Sequence, residues 1–207
     1  MNKKKLFVIG ILVFLAFVFV SYLVHKDLFT QFDFNTTVGI QDTISRRFDT
    51  FFSVFTLLGS TELMTLFLIV LIIVLGKLKR ILIFVPYFVS FIIELYEKIF
   101  VVHPGPPYMF FRYNIPFDFP SSHVQPGSSF PSGHSTRTAF ISIIFLFFIA
   151  RSKKLRPLHK KILFSIIVIF DIIMFASRVY LGEHWTSDVI GGGLLGYSLG
   201  ILSLALL

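Results

Sequence analysis

Apolar runs of about membrane-span length alternate with short polar or basic stretches along most of the chain. The first run is Leu6–Val24. The second begins at Phe51 or Thr61 and ends at Gly76, its start blurred by the interruption Gly59-Ser60-Thr61-Glu62. A third covers Ile81–Val102, a fourth runs from Ser132 to just before Arg151, a fifth covers Ile162–Tyr180 and a sixth Val189–Leu207. A helix crosses the hydrocarbon core with about 20 apolar residues, so the pattern predicts an all-α integral membrane six-helix bundle. Lys77-Leu78-Lys79-Arg80 reads as a tight turn between the second and third runs. The mixed segment 25–48 predicts a loop and an interfacial amphipathic helix. Residues 103–130, rich in Pro, Gly and aromatics, predict a long loop. The first run could serve as a signal peptide, but Ser21-Tyr22-Leu23-Val24-His25 is too bulky for a small-x-small cleavage site, which favours a retained span.

Composition agrees. Of 207 residues 55% are hydrophobic and 14% charged, against about a quarter charged in soluble domains. Residues 1–207 read as one membrane domain. With no cysteine, disulfides and thiolate metal sites are excluded. The net charge of +8 invites a nucleic-acid reading, but its placement argues against one. Lys3, Lys4 and Lys5, then Lys77, Lys79 and Arg80, then Arg151, Lys153, Lys154, Arg156, Lys160 and Lys161 each flank an apolar run, as the positive-inside rule expects. The bilayer is therefore the expected partner. Both termini are expected in the cytoplasm of a multi-pass plasma-membrane protein, with loops 25–50, 103–131 and 181–188 on the outer side. Lys98, His134, Arg178, His184 and Asp188 then share the outer ends of their spans. Ionisable groups at such positions are costly and usually functional.

Each candidate has a plainer alternative. His184 and Asp188 are spaced i, i+4, which on one helix face lets a carboxylate fix the imidazole tautomer and leave the other nitrogen free to attack; a helix-start histidine with a stabilising aspartate is the plainer reading. In Pro131-Ser132-Gly133-His134, Ser132 suits an N-cap, Gly133 admits close approach to the backbone, the first amides form an anion site, and His134 could act as general acid; an ordinary cap competes. Arg178 suits bidentate phosphate binding or snorkelling. Lys98 could balance a bound phosphoryl group or pair with Glu94 one turn earlier. Asp171 lies inside an apolar run with no nameable partner. His25 and His123 read as loop residues, His159 as solvated, and Trp185, Tyr180 and Tyr108 as an interfacial aromatic belt. Asn35-Thr36-Thr37 fits a glycosylation acceptor, a pattern common by chance.

Taken together, these residues resemble the type 2 phosphatidic acid phosphatase family, relatives of vanadium haloperoxidases and bacterial acid phosphatases. Ser177, Arg178, His184 and Asp188 match that family's Ser-Arg-x5-His-x3-Asp signature, and Pro131–His134 its Pro-Ser-Gly-His signature. Its Lys-x6-Arg-Pro signature is matched by Lys98 and Pro106, but Gly105 stands where the arginine belongs. The likeness covers about residues 60–207, leaving 1–59 as an N-terminal span and loop. It implies metal-independent and cofactor-free hydrolysis: His184 as phosphohistidine nucleophile, Asp188 orienting it, His134 protonating the leaving group, and Lys98, Ser132, Gly133 and Arg178 holding phosphate. One charge-assisted contact contributes about 1.5–3 kcal/mol, so the missing arginine is expected to cost roughly tens of fold in binding or turnover unless Arg137, His103 or Arg112 replaces it. The implied substrates are lipid phosphates or pyrophosphates: undecaprenyl pyrophosphate, phosphatidic acid or phosphatidylglycerol phosphate. Alternatives are a phosphotransferase using the same phosphohistidine and a non-catalytic lipid-phosphate binder. A transporter finds no internal repeat to support it.

Overall fold

The computed structural model describes residues 2–75, 78–119 and 127–207. The fold among them is all-α, with eight α-helices: α1 Lys3–His25, α2 Thr30–Thr43, α3 Asp49–Thr56, α4 Thr61–Leu75, α5 Phe84–Phe100, α6 Gly133–Arg151, α7 Pro157–Tyr180 and α8 Thr186–Leu206. His123 and Lys77, the first residue of the expected Lys77–Arg80 turn, fall outside the described residues, and Leu78–Ile83 form a 3-10 helix. Large apolar side chains face outward along the bundle, among them Leu12 and Phe19 on α1, Ile73 and Val74 on α4, Ile92 and Ile99 on α5 and Ile169 and Ile172 on α7. Such a surface is stable only in lipid, and the chain is a multi-pass membrane protein.

Among the described residues, five of the six expected spans have helices with the length and apolarity of a crossing. Four helices (α1, α6, α7 and α8) are long and apolar enough to cross a membrane, and the bent pair Arg46–Gly59 and Thr61–Val74 makes a fifth. The bend of 46° falls at Gly59-Ser60, where the sequence interrupts its apolar run. For the third expected span, helix α5 has 17 residues, about 25 Å at 1.5 Å per residue, and follows directly on the 3-10 helix Leu78–Ile83.

The segment 25–48 does form a helix, but its amphipathicity is inverted. Asp33, Thr37 and Gln41, four residues apart on α2, are buried, while Phe32 and Phe34 are exposed. Gln41 Nε2 donates to the carbonyls of Phe110 (2.7 Å) and Tyr180 (2.8 Å). The helix therefore lies polar side inward, over the loops at one end of the bundle.

Helices α6 and α8 form the centre through a glycine stripe. A Cβ on Gly192 would strike the Ser132 carbonyl oxygen, and one on Gly196 the Thr136 carbonyl oxygen; at Gly200 it would sit 3.0 Å from the Phe140 carbonyl oxygen. Both series advance by four residues, so the helix backbones lie against each other turn by turn, as small-x3-small spacing permits in membranes. At the top of this seam Ser132 N–H donates to the Asp188 carbonyl at 3.0 Å. The two histidine-bearing segments are thus clamped together. At the far end, Lys3 and Lys4 line one cavity with Pro86 and Leu206, and Arg80 lies over the Phe148 ring, so basic residues collect opposite the histidines.

Candidate active site

Helix α7 delivers Arg178 and ends in a Schellman turn. Gly182 N–H donates to Val179 O (3.0 Å) and Glu183 N–H to Arg178 O (3.2 Å), with Gly182 at φ 69°. Glycine is required there for its positive φ, and a Cβ would also strike the Phe110 carbonyl oxygen. This turn throws the chain back so that His184 stands just before α8. The expectation that His184 and Asp188 share a helix face is corrected: Trp185 is the N-cap and Asp188 the third residue of α8. Asp188 Oδ2 accepts the Trp185 backbone N–H at 2.8 Å, and His184 Nδ1 lies 3.4 Å from the same oxygen. Capping chemistry at the helix start holds the pair together.

His184 is pushed below the ordinary histidine pKa of 6.5. Burial is the main cause; Asp188 opposes it, and Arg178 and Lys98 add to it. The ring turns its Nδ1 toward Asp188, which leaves Nε2 on the opposite edge.

Helix α6 opens with Ser132 at its N-cap position, but the hydroxyl makes no capping bond. The buried hydroxyls of Ser132, Ser135 and Thr138 have no protein partner. A helix N-terminus with unpaired donors beside cations is arranged for an anion. His134 packs at the α3–α4 bend, where a Cβ on Gly59 would sit 3.1 Å from its Cδ2. It lies in the field of Arg178, Arg137, His184 and Lys98.

The cations are partnered by two carboxylates, Glu94 and Glu183, of which the sequence pointed only to Glu94 as a partner of Lys98. Glu94 bridges Lys98 (2.9 Å) and Arg137 (3.1 Å). The Glu94–Lys98 pairing weighed from sequence is therefore present, with Arg137 as a further arm. A Cβ at Gly133 would strike both Glu94 and the Arg137 guanidinium, so this ion cluster lies against the start of α6. Arg178 pairs with Glu183 and donates to Thr56 Oγ1 at 2.7 Å. Glu94 was legible as an i, i+4 partner of Lys98, but its link to Arg137 across 43 residues was not. Glu183 sits one residue before the nucleophile candidate and carried no signal.

Of the candidates for the missing arginine, Arg137 sits beside Gly133, whereas Arg112 donates to the carbonyls of Ile44 (3.2 Å) and Gln41 (3.0 Å) and anchors α2. His103 is turned to carboxylates instead: Nδ1 is 2.9 Å from Asp188 Oδ1, and Nε2 is 3.9 Å from Asp33 Oδ2. Gly105 itself lines a cavity of about 900 Å³ with Tyr113, Asp118 and Glu183, and the nearest atom to an added Cβ is Ser129 Cβ at 3.7 Å. Burial and the neighbouring Glu183 push the Tyr113 hydroxyl up to about 12.

Two other expectations change. Tyr180 is fully buried and donates to Asp49 Oδ1 (2.5 Å) and Ser45 O (3.0 Å), so it does not belong to an interfacial belt; Tyr108 is exposed and Trp185 is partly exposed. Asp171 has partners after all: Ser142 (2.6 Å) and Tyr197 (2.8 Å) both donate to it.

Residues 78–207 match the PAP2 superfamily. Phosphatidylglycerophosphatase B of Bacillus subtilis (strain 168) is 35% identical over 85 residues, covering 41% of this chain and 40% of the relative. An Escherichia coli K12 protein bearing the name of an undecaprenyl-diphosphatase is 33% identical over 90 residues, covering 44% and 39%. The chain thus aligns with about two fifths of the length of these curated relatives. Among solved structures, the transmembrane PAP2 type phosphatidylglycerolphosphate phosphatase from Bacillus subtilis superposes with a TM-score of 0.73 at 23% identity, covering 94% of both chains. LpxE of Aquifex aeolicus gives 0.62 at 22% identity, covering 84% of this chain and 94% of the other. The fold agrees along nearly the whole chain, and the match takes in every residue from Lys98 to Asp188, so the chain belongs to the PAP2 superfamily.

Proposed function

We propose that this chain is an integral membrane phosphatase that hydrolyses lipid phosphates or pyrophosphates through a phosphohistidine at His184, on the outer face of the plasma membrane. The observation that carries the reading is a partly buried imidazole beside Asp188, set among Lys98, Arg137, Arg178 and the unpaired donors of the α6 start. The phosphoryl group sits among these cations and donors, and the lipid tail stays in the bilayer. His184 Nε2 attacks phosphorus, the bond to the leaving oxygen breaks, and His134 gives that oxygen a proton. Water, deprotonated by His134, then attacks the phosphohistidine, releasing inorganic phosphate and restoring both imidazoles. Phosphatidylglycerol phosphate, phosphatidic acid and undecaprenyl pyrophosphate are the substrates to test; the activities named for the relatives support the first and last. The purified protein is assayed for phosphate release from these lipids in EDTA. His184→Ala and His134→Ala are each expected to abolish release, and undiminished turnover by the His184 variant defeats the mechanism.

A further inference from the structure

Asp188 has three partners, and the contact to the proposed nucleophile is the longest. Oδ1 is 2.9 Å from His103 Nδ1, and Oδ2 accepts the Trp185 N–H at 2.8 Å while lying 3.4 Å from His184 Nδ1. The position of this carboxylate is therefore set as much by His103 as by His184. His103 is held in turn: Ser129 donates to its carbonyl through both N–H (2.8 Å) and Oγ (3.0 Å). On its other side lies Asp33 from α2, whose two carboxylate oxygens accept the Ser187 N–H and the Ser187 hydroxyl, each at 2.7 Å. Ser187 precedes Asp188 in the chain. Asp33, Ser187, Asp188 and His103 thus close a ring of contacts, all four buried. Asp33 lies outside the segment that matches the superfamily.

We infer that His103 and Asp33 form a positioning pair for the reaction, acting on His184 through Asp188. The inference rests on the phosphohistidine reading of His184. The groups facing His103 are Asp188 from α8, Asp33 from α2 and Asp27 from the turn between α1 and α2; burial works against its charge, but Asp188 and then the other two outweigh it, and its pKa is raised. Those acting on His184 are Asp188, Arg178, Lys98, His134 and Glu94. A charged His103 between two carboxylates shares the negative charge of Asp188. Less of that charge is left to draw a proton onto His184, and the nucleophile stays in its neutral, reactive form. The Nδ1–H donor also fixes the angle of the carboxylate, and through it the ring of His184.

The two roles separate in a pair of variants. His103→Asn keeps a donor near the Nδ1 position but carries no titrating charge, whereas His103→Ala removes both. For His103→Asn the acid limb of kcat/KM is expected to move to higher pH by about one unit, the size of effect a close charge exerts, with kcat on the plateau largely kept. For His103→Ala the same shift is expected with kcat lowered about ten- to a hundredfold and KM little changed, since small misplacements of a reacting group carry losses of that order. A purely structural role predicts lost protein with an unaltered profile for the fraction that folds. Should His103→Asn fail to fold, Asp33→Asn replaces it, with a smaller shift in the same direction. A wild-type enzyme that loses activity on His184→Ala, combined with a variant profile superimposing on that of wild type, overturns the inference alone; absence of phosphate release by the wild type overturns the functional reading beneath it.

Discussion

Gly196→Ala tests whether the glycine seam between α6 and α8 sets the geometry at the histidines. The added Cβ would strike the Thr136 carbonyl oxygen and would stand 2.8 Å from Ala139 Cβ and 2.9 Å from the Thr136 carbonyl carbon. Two of these neighbours are helix backbone, which cannot swing aside, so the helices must part by roughly the overlap, about 1 Å against ordinary van der Waals separation. Overpacking of this kind costs about 1–3 kcal/mol, while replacing a mid-helix glycine by alanine returns about 0.5–1 kcal/mol. The net expectation is a loss of up to about 2.5 kcal/mol. Gly39→Ala on α2 is the control, because nothing lies within 4 Å of its added Cβ; it should gain the propensity term alone. The parting reaches the site through the 3.0 Å bond from Ser132 N–H to the Asp188 carbonyl, so Gly196→Ala should also lower phosphate release. Thermal unfolding in detergent and the lipid phosphatase assay read the two effects. Equal melting temperatures for Gly196→Ala and Gly39→Ala, with full activity in both, would refute the seam argument.

Four further outcomes follow from particular contacts. Because burial lowers the His184 pKa below 6.5, its neutral form persists as pH falls; kcat/KM should hold through pH 6.5 and drop only below it, and an acid limb centred above 6.5 in a pH series contradicts this. Glu94→Gln weakens the competition for Lys98 and Arg137, so inorganic phosphate should inhibit at a severalfold lower concentration, measured as Ki. Asp171→Ala strands the hydroxyls of Ser142 and Tyr197 and should cost about 1–3 kcal/mol per unsatisfied group, seen as a lowered melting temperature. Gly105→Arg has an open cavity to enter, so it should fold normally and raise kcat/KM by about ten- to a hundredfold, the range of one charge-assisted contact of about 1.5–3 kcal/mol.

Spans with long uninterrupted apolar runs and basic flanks (α1, α6, α7 and α8) were legible because length and composition alone decide them. The bent α3–α4 span was readable only as an ambiguity at Gly59-Ser60, since the angle depends on what packs against the bend: Met174 and His134, both distant in sequence. Helix α2 was legible as amphipathic but not in its sense, because Asp33, Thr37 and Gln41 spaced by four look the same on a solvated face as on one buried under loops. At the site, His134, Arg178, His184 and Asp188 were legible as residue types and spacings. Their partners were not, because Glu94 meets Arg137, Thr56 meets Arg178 and Asp33 meets Ser187 across 43 to 154 residues. The stripe Gly192, Gly196 and Gly200 is spelled out in the chain, but its spacing alone does not say which backbone it meets: the α6 carbonyls of Thr136 and Phe140 and that of Ser132 just before α6.

On the proposed reading, the pairing of cations and carboxylates lets a site with glycine at position 105 hold an anion selectively. Lys98, Arg137 and Arg178 face Glu94 and Glu183, so these five groups carry one positive charge in excess before any anion enters. Uncompensated buried guanidinium groups would be very costly, and the two carboxylates offset that cost while the site is empty. On the proposed reading, an incoming phosphoryl group offers more acceptor oxygens than either carboxylate and sits at the α6 N-terminus, where Ser132, Ser135 and the first amides have donors to spare. It displaces contacts that already exist rather than ordering mobile cations, so little side-chain entropy is lost on binding. Adding an arginine at Gly105 would raise the excess charge and tighten binding of substrate and product phosphate alike. The enhancement expected of Gly105→Arg should therefore appear mainly in KM, with phosphate inhibition strengthened in parallel; a gain confined to kcat would mean that the position acts on the transition state instead.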